Sequence, residues 1–267
     1  MKQTILLAYA GSLDDAAAVA WLAERHGADV ATLTLDVGQG REVEHVRARA
    51  LAGGAVRAHV LDAREEFARD CALPWLQAGA ADDAGFASLV RPLIARKLVE
   101  VAVIERAAAV AHGASDTGID LAVAAIDAAM PVLAPSRERL ATGIDSLDYA
   151  RTRGLMIPPA PERERAVEPH LLRRHAAARA AGLDTTANLE IAFEDGVPRA
   201  VNGVAFPLTE LLESLSVIAG QHLAGRIGAI DAPAALILRA AYRVLGRQTG
   251  VVRFRLHNGE HSLVTCA

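Results

Sequence analysis

Three times within its first 62 residues the chain passes from a short apolar run through a loop into a segment of helical periodicity, and that alternation constrains the fold more than any other feature. Residues 4–8 are apolar and give way to Gly11, after which residues 14–25 carry apolar side chains at three- and four-residue spacing. Residues 30–37, rich in β-branched side chains, end at Gly38, Gln39 and Gly40 and lead into a helical stretch over 43–52. A third run at 55–61 precedes Asp62 and the charged helix start Arg64, Glu65, Glu66. Strands separated by helices pair in parallel, because a parallel neighbour needs a long crossover. The expected class is therefore α/β, a parallel sheet with helices on both faces.

A long helix is expected over 89–109, where Leu93, Ile94, Leu98 and Val101 recur on one face, feeding a buried strand at 109–112. The texture then changes. Residues 156–161 are proline-rich, residues 162–165 form a solvated charge run, and the domain boundary is placed at residue 160. Beyond it, strands at 189–193 and 197–201 flank Asp195-Gly196, with Asn202-Gly203 as a second turn. Strands at 251–256 and 262–265 flank Asn258-Gly259. Such dipeptides supply the positive φ that tight hairpins need. With helices at 208–219 and 232–245, residues 161–267 read as a smaller α+β domain.

Composition excludes several functions. Lys and Arg number 28 against 32 Asp and Glu, so a net charge of -4 offers no long-range attraction to nucleic acid or an anionic membrane. Aromatic residues are 4% of the chain, too few for a stacking platform on single-stranded nucleic acid. No uncharged apolar stretch reaches bilayer length, and the chain reads as cytoplasmic. Cys71 and Cys266 form neither a disulfide framework nor a metal-ligand spacing, and no metal site is expected.

The loop after the first strand is where chemistry is expected. Across Ala8, Tyr9, Ala10, Gly11, Ser12, Leu13 and Asp14, a strand runs into small residues and then a helix start, so backbone amides and the positive helix end converge on a place suited to phosphate. Simple packing produces similar turns, and the loop is neither a Walker A sequence nor a triple-glycine fingerprint. Gly38 and Gln39 lie in the second such loop, at the sheet's carboxyl edge. Several residues have two readings. Asp14 is a helix N-cap or a functional carboxylate, Asp36 an Asx-turn residue or a ligand contact, and His112 a packed histidine or a base. Arg173, Arg174 and His175 form a solvated face, an intersubunit contact or an anion grip.

The segment from Ala10 to Ala16 resembles the opening Ser-Gly-Gly-Leu-Asp-Thr-Ser motif of the argininosuccinate synthase family, within the adenine-nucleotide-binding ATP pyrophosphatase group. Further matches in family order are Asp36-Val37-Gly38-Gln39-Gly40, Asp62-Ala63-Arg64-Glu65-Glu66-Phe67, Arg91-Pro92-Leu93 and His112-Gly113. Ile191 to Pro198, Val201-Asn202-Gly203, Gly220-Gln221-His222 and Gly225-Arg226-Ile227 continue it, so the resemblance covers nearly the whole chain.

The resemblance implies a nucleotide-binding domain over 1–160 and a substrate and oligomerisation domain over 161–267. It implies ATP, with Mg2+ as its accompanying ion where one is used, a small amino-acid-like substrate and a homo-oligomer, dimer or tetramer. Family chemistry activates the ureido oxygen of citrulline as an adenylate, and the amine of aspartate then displaces AMP. Carried over position by position, Ala8, Ala10, Gly11, Ser12, Asp14, Asp36, Gly38, Gln39 and Gly113 fall on the nucleotide. Ser115, Asp120 and Arg91 fall on the substrate, with Asp14 and Asp120 as the catalytic candidates. The departures are as informative. Asp15 stands where the family has Thr, and Ala10 and Ala16 where it has Ser. The family's Gly-Lys-Gly-Asn-Asp-Gln-Val-Arg stretch reads Asp116-Thr117-Gly118-Ile119-Asp120-Leu121-Ala122-Val123, without its Lys, Asn, Gln and Arg. Two functions follow as expectations: an AMP-forming carbon–nitrogen ligase with a divergent substrate site, or a catalytically inactive nucleotide-binding paralogue with a regulatory or scaffold role.

Overall fold

Five apolar strands build the first sheet: β1 (Thr4–Ala8), β2 (Asp29–Asp36), β3 (Arg57–Asp62), β4 (Ala109–Ala111) and β5 (Val132–Leu133). They are all parallel, in the order β3-β2-β1-β4-β5, as the βα alternation requires. The computed structural model describes residues 2–38, 42–79, 85–86, 88–156, 171–172, 186–223, 226–227, 230–257 and 259–266. Gln39, the charge run at 162–165, the Arg173-Arg174-His175 cluster, the proposed boundary at residue 160 and Asn258 lie outside them.

Helix α1 (Leu13–His26) follows β1, and α2 (Glu42–Ala52) follows β2. Ser12 rather than Asp14 is the N-cap of α1, and Gly27 at φ +59° ends it in the left-handed region that glycine adopts without strain. Ile5 and Leu7 of β1, Val19 and Leu22 of α1, Val30 of β2, and Val46 and Ala50 of α2 form one buried cluster. The long helix α5 is shorter than its periodicity implied, running Arg91–Glu105. Pro92 opens it, and Arg106 at φ +52° stops it before β4. Three helices not anticipated from the sequence complete the unit: α6 (Gly118–Ile126), α7 (Pro135–Ala141) and α8 (Ser146–Thr152).

The chain forms two compact units, one of residues 1–62 and 90–168, the other of 63–89 and 169–267. The helical segment of α3 (Arg64–Glu66), a π-helical turn at Phe67–Ala72 and α4 (Leu73–Gln77) is thus counted with the second unit, a discontinuity that a single cut at residue 160 does not express. In that unit β6 (Ala187–Glu194), β7 (Val197–Val201), β8 (Val204–Ala205), β11 (Gly250–His257) and β12 (Glu260–Cys266) form an antiparallel sheet in the order β12-β11-β6-β7-β8. Asp195 and Gly196 have φ of +49° and +74°, and Asn202 and Gly203 +50° and +78°, the mirror-image turns their sequence specifies. Helices α9 (Leu208–His222) and α10 (Pro233–Leu245) follow, with a short ladder of β9 (Arg226–Ile227) and β10 (Ile230–Asp231) between them. The carbonyl of Gly196 accepts from the Tyr242 hydroxyl at 2.7 Å and from Gln77 Nε2 at 3.0 Å, tying the hairpin to α10 and α4. No helix among the described residues is long and apolar enough to cross a membrane.

Candidate functional site

The strand order reverses beside β1, which has β2 on one side and β4 on the other. Loops leaving the carboxyl ends of strands at such a switch point turn to opposite faces and leave a crevice for a ligand. Here the loop after β1 carries Ala10, Gly11 and Ser12, and the loop after β4 carries His112, Gly113 and Ser115, so most of the anticipated residues are brought to one rim.

The β1 loop is closed by its own side chains. Asp15, 6% exposed, turns its carboxylate back into the loop, where Oδ2 accepts from the amides of Ala10 at 2.9 Å and Ser12 at 3.1 Å. The Ser12 hydroxyl in turn accepts from the Asp15 amide at 3.1 Å, completing a capping box. The other oxygen faces Gly113, where an added Cβ would lie 2.8 Å from Oδ1. Gly11, at φ +82°, meets Arg49 Nη2 and Val46 in the same way, at 2.7 and 3.1 Å. Burial pushes the Asp15 carboxyl up from the ordinary carboxylate range against the pull of its amide donors. Where it is ionised, a phosphate about 4 Å away would be repelled by about 1–4 kcal/mol. In either protonation state its oxygen already holds the two amides. The loop therefore does not fit a triphosphate.

Asp14 points the other way. Its carboxylate accepts from the Ser146 hydroxyl and lies 3.5 Å from Arg139 Nη2. Arg139 is 1% exposed and also donates from Nη2 to the Asp14 carbonyl at 3.2 Å and to Ser146 Oγ at 3.2 Å. Its Nε and Nη1 have no partner among the described residues, and burial holds its pKa below the usual arginine value.

On the β4 side, the Ala114 amide donates to His112 Nδ1 at 3.2 Å, which leaves Nε2–H to donate to Asp120 Oδ2 at 3.0 Å. His112 is buried, and desolvation lowers its pKa, so the neutral ring is favoured. Arg137 grips Asp120 through both terminal nitrogens, at 2.5 and 3.0 Å, and its hydrogen bonds hold the Asp120 carboxyl below the usual range. Arg91 Nη1 donates to Asp116 Oδ1 at 2.7 Å, an oxygen that also accepts the Gly118 amide. Ser115 is exposed in the bend before α6. Ala8 ends β1 in register with Leu33, and Asp36 accepts from the Gly38 amide at 3.0 Å, the Asx turn its position suggested. No group of three His, Cys, Asp or Glu able to hold a metal ion occurs among the described residues.

Sequence reasoning missed Arg137, Arg139, Ser136 and Ser146. The available signal was Pro135 opening a helix with arginines two residues apart, but their partners are far away in sequence, up to 132 residues for Ser146 and Asp14.

The contact between Asp15 and Gly113 can be tested. Gly113→Ala places a methyl against the carboxylate and is expected to cost about 1–3 kcal/mol, as overpacking does. In an Asp15→Ala background the same change should cost less than about 0.5 kcal/mol, because the opposing oxygen is gone. Denaturant titrations of the four proteins give the coupling. Equal costs in both backgrounds would remove Asp15 from that position.

Residues 4–156 match the model of the arginosuccinate synthase N-terminal HUP domain. Among curated proteins, the chain is 36% identical to an argininosuccinate synthase of Symbiobacterium thermophilum, the alignment covering 91% of this chain and 71% of that one. It is 37% identical to one of Bacillus velezensis, over 86% of this chain and 64% of that one. The chain thus spans about two thirds of the length of these relatives. Among solved structures, it is similar to the U34-tRNA thiolase NcsA from Methanococcus maripaludis at a TM-score of 0.39 and 11% identity, covering 60% of this chain and 59% of that one. At that distance the likeness carries no functional information.

Proposed function

The chain belongs to the argininosuccinate synthase family, and from that premise we propose that it is a non-ligating member, a protein that keeps an adenine-nucleotide frame but does not join citrulline to aspartate. What carries this reading is a single pattern: several groups at the rim that could hold anions are engaged by the chain's own carboxylates. Asp15 takes the loop amides, Asp120 takes Arg137, Asp116 takes Arg91, and Asp14 takes Ser146 beside Arg139. Displacing the buried Asp15 leaves it unpaired in a desolvated site, so a phosphate entering there must first overcome charge-assisted hydrogen bonds of about 1.5–3 kcal/mol each, whereas the half-exposed Asp14 and Asp116 rehydrate at smaller cost. A regulatory or scaffold role, with the oligomer implied by the family, fits such a self-satisfied site.

A second reading has its own support. Asp120 is held ionised and oriented by His112 and Arg137, which is how a working carboxylate would be kept. On that reading the chain is an AMP-forming carbon–nitrogen ligase for another small amino-acid-like substrate.

One assay separates the two. With ATP and magnesium, pyrophosphate release in the presence of citrulline plus aspartate is expected to stay at the rate without amino acids, and to stay there across a panel of amine donors and ureido or carboxylate acceptors. Stimulated release with any pair would establish the ligase and sink the non-ligating reading.

A further inference from the structure

We propose that Asp15 is the specificity-determining residue of the nucleotide site: its carboxylate is a built-in occupant of the place where the loop would hold a pyrophosphate group. The site's ligands are then adenine nucleosides and monophosphates rather than ATP. The inference rests on the nucleotide-frame reading above and adds the ligand class.

The geometry is that of a bound anion. A single oxygen collects two amides from alternate residues of a turn, Ala10 and Ser12, the convergent arrangement with which backbone nests hold oxyanions. That oxygen sits at the amino end of α1, a helix of 14 residues, where negative charge is favoured. The hydroxyl in the loop is part of the same cap, since Ser12 Oγ accepts the Asp15 amide and fixes the backbone from which the carboxylate turns inward. The surrounding space is filled as well. Asp15 Oδ1 lies at the position an added Gly113 Cβ would approach, and Arg49 and Val46 lie against Gly11. A pyrophosphate group could enter only by expelling a side chain that is buried and bonded to two amides. At the neighbouring strand end the Asp36 carboxylate holds the Gly38 amide in its own Asx turn, and neither residue takes part in the bonds from Asp15 to Ala10 and Ser12.

Three substitutions distinguish occupancy from charge and from collapse of the fold. Asp15→Thr shortens the side chain so that it no longer reaches the Ala10 amide. Asp15→Asn removes the charge while keeping an oxygen of the same reach. Asp15→Ala removes the polar group altogether. Each is titrated calorimetrically with adenosine, AMP, pyrophosphate and ATP, with circular dichroism and melting temperature to establish folding.

The wild type should bind AMP no more weakly than ATP, and should show no pyrophosphate binding at millimolar concentration. Asp15→Thr and Asp15→Ala should bind ATP and pyrophosphate at least about tenfold more tightly than the wild type, a difference of about 1.4 kcal/mol, with AMP unchanged. Asp15→Asn should behave as the wild type does. Tight pyrophosphate binding by the wild type would overturn the inference, as would folded Thr and Ala variants with unchanged affinity. So would an Asn variant that opens as fully as Thr, since the oxygen would then not be the occupant. If no protein binds AMP or adenosine while Asp15→Thr gains pyrophosphate, the nucleotide reading fails and the plugged loop stands.

Discussion

Phe254→Ala is expected to destabilise the second unit by about 3–5 kcal/mol, as truncation of a buried phenylalanine does. Phe254 is 1% exposed at the middle of β11, opposite Leu189 on β6 and Leu263 on β12, and on the same face as Val252 and Leu256. It is therefore a central member of an antiparallel sheet rather than a rim residue. The cavity cannot be closed cheaply, because β11 is held by ladders on both sides. The two tryptophans make the effect readable: Trp21 lies in the first unit and Trp75 in the second. With Trp21→Phe as background, the Trp75 fluorescence transition in urea should move to lower denaturant by the stated amount. A shift worth less than about 1 kcal/mol would mean that the sheet's core does not pass through Phe254.

Arg139 yields the second large effect, and its size depends on the replacement. Arg139→Ala should cost about 2–5 kcal/mol, the range for emptying a large buried volume. Arg139→Met should cost far less and end within about 1 kcal/mol of the wild type. Methionine keeps much of the packing volume and removes Nε and Nη1, two buried donors without partners among the described residues, each carrying a desolvation penalty of about 1–3 kcal/mol. Asp14, the carboxylate left behind, is more than half exposed and can be rehydrated. If Met proves as damaging as Ala, the guanidinium contributes through charge and hydrogen bonds rather than through volume. Trp21 fluorescence, reporting the unit that contains Arg139, follows both.

The fold was legible where local chemistry and tertiary environment agree. Buried parallel strands read as continuous apolar runs, so β1 and β2 were visible, the half-exposed edge strand β3 showed as the third step of the alternation, and Asp195-Gly196 and Asn202-Gly203 specified their turns through backbone conformation alone. Helix α6 was not, because its N-cap Thr117 makes no side-chain cap bond. β5 has two residues, too few for any periodicity. The membership of residues 63–89 could not be read either, since helical patterning says that a face is buried and not against what.

The site divides in the same way. The rim loops were legible from their position after strands, and Asp15 stood out as a carboxylate in a phosphate-type loop. That it would bend back onto Ala10 and Ser12 as the third helical residue of a capping box was written in Ser12-Leu13-Asp14-Asp15, a pattern more familiar with Glu or Gln at its last position. The pairings Arg137–Asp120 and Arg139–Asp14 depend on the placement of helices whose paired residues lie more than a dozen and more than a hundred positions apart, which no local pattern encodes.

Residues 63–89 set a timing problem during synthesis. Phe67, Leu76 and Phe86 are fully enclosed in the finished protein, yet the β6 to β12 strands of their unit are translated roughly 100 residues later. At about 5–20 residues per second, those greasy side chains wait roughly 5–20 s on the nascent chain before their companions emerge. A ribosome-bound intermediate with a sticky, unhoused helix is thus built into the gene's reading order.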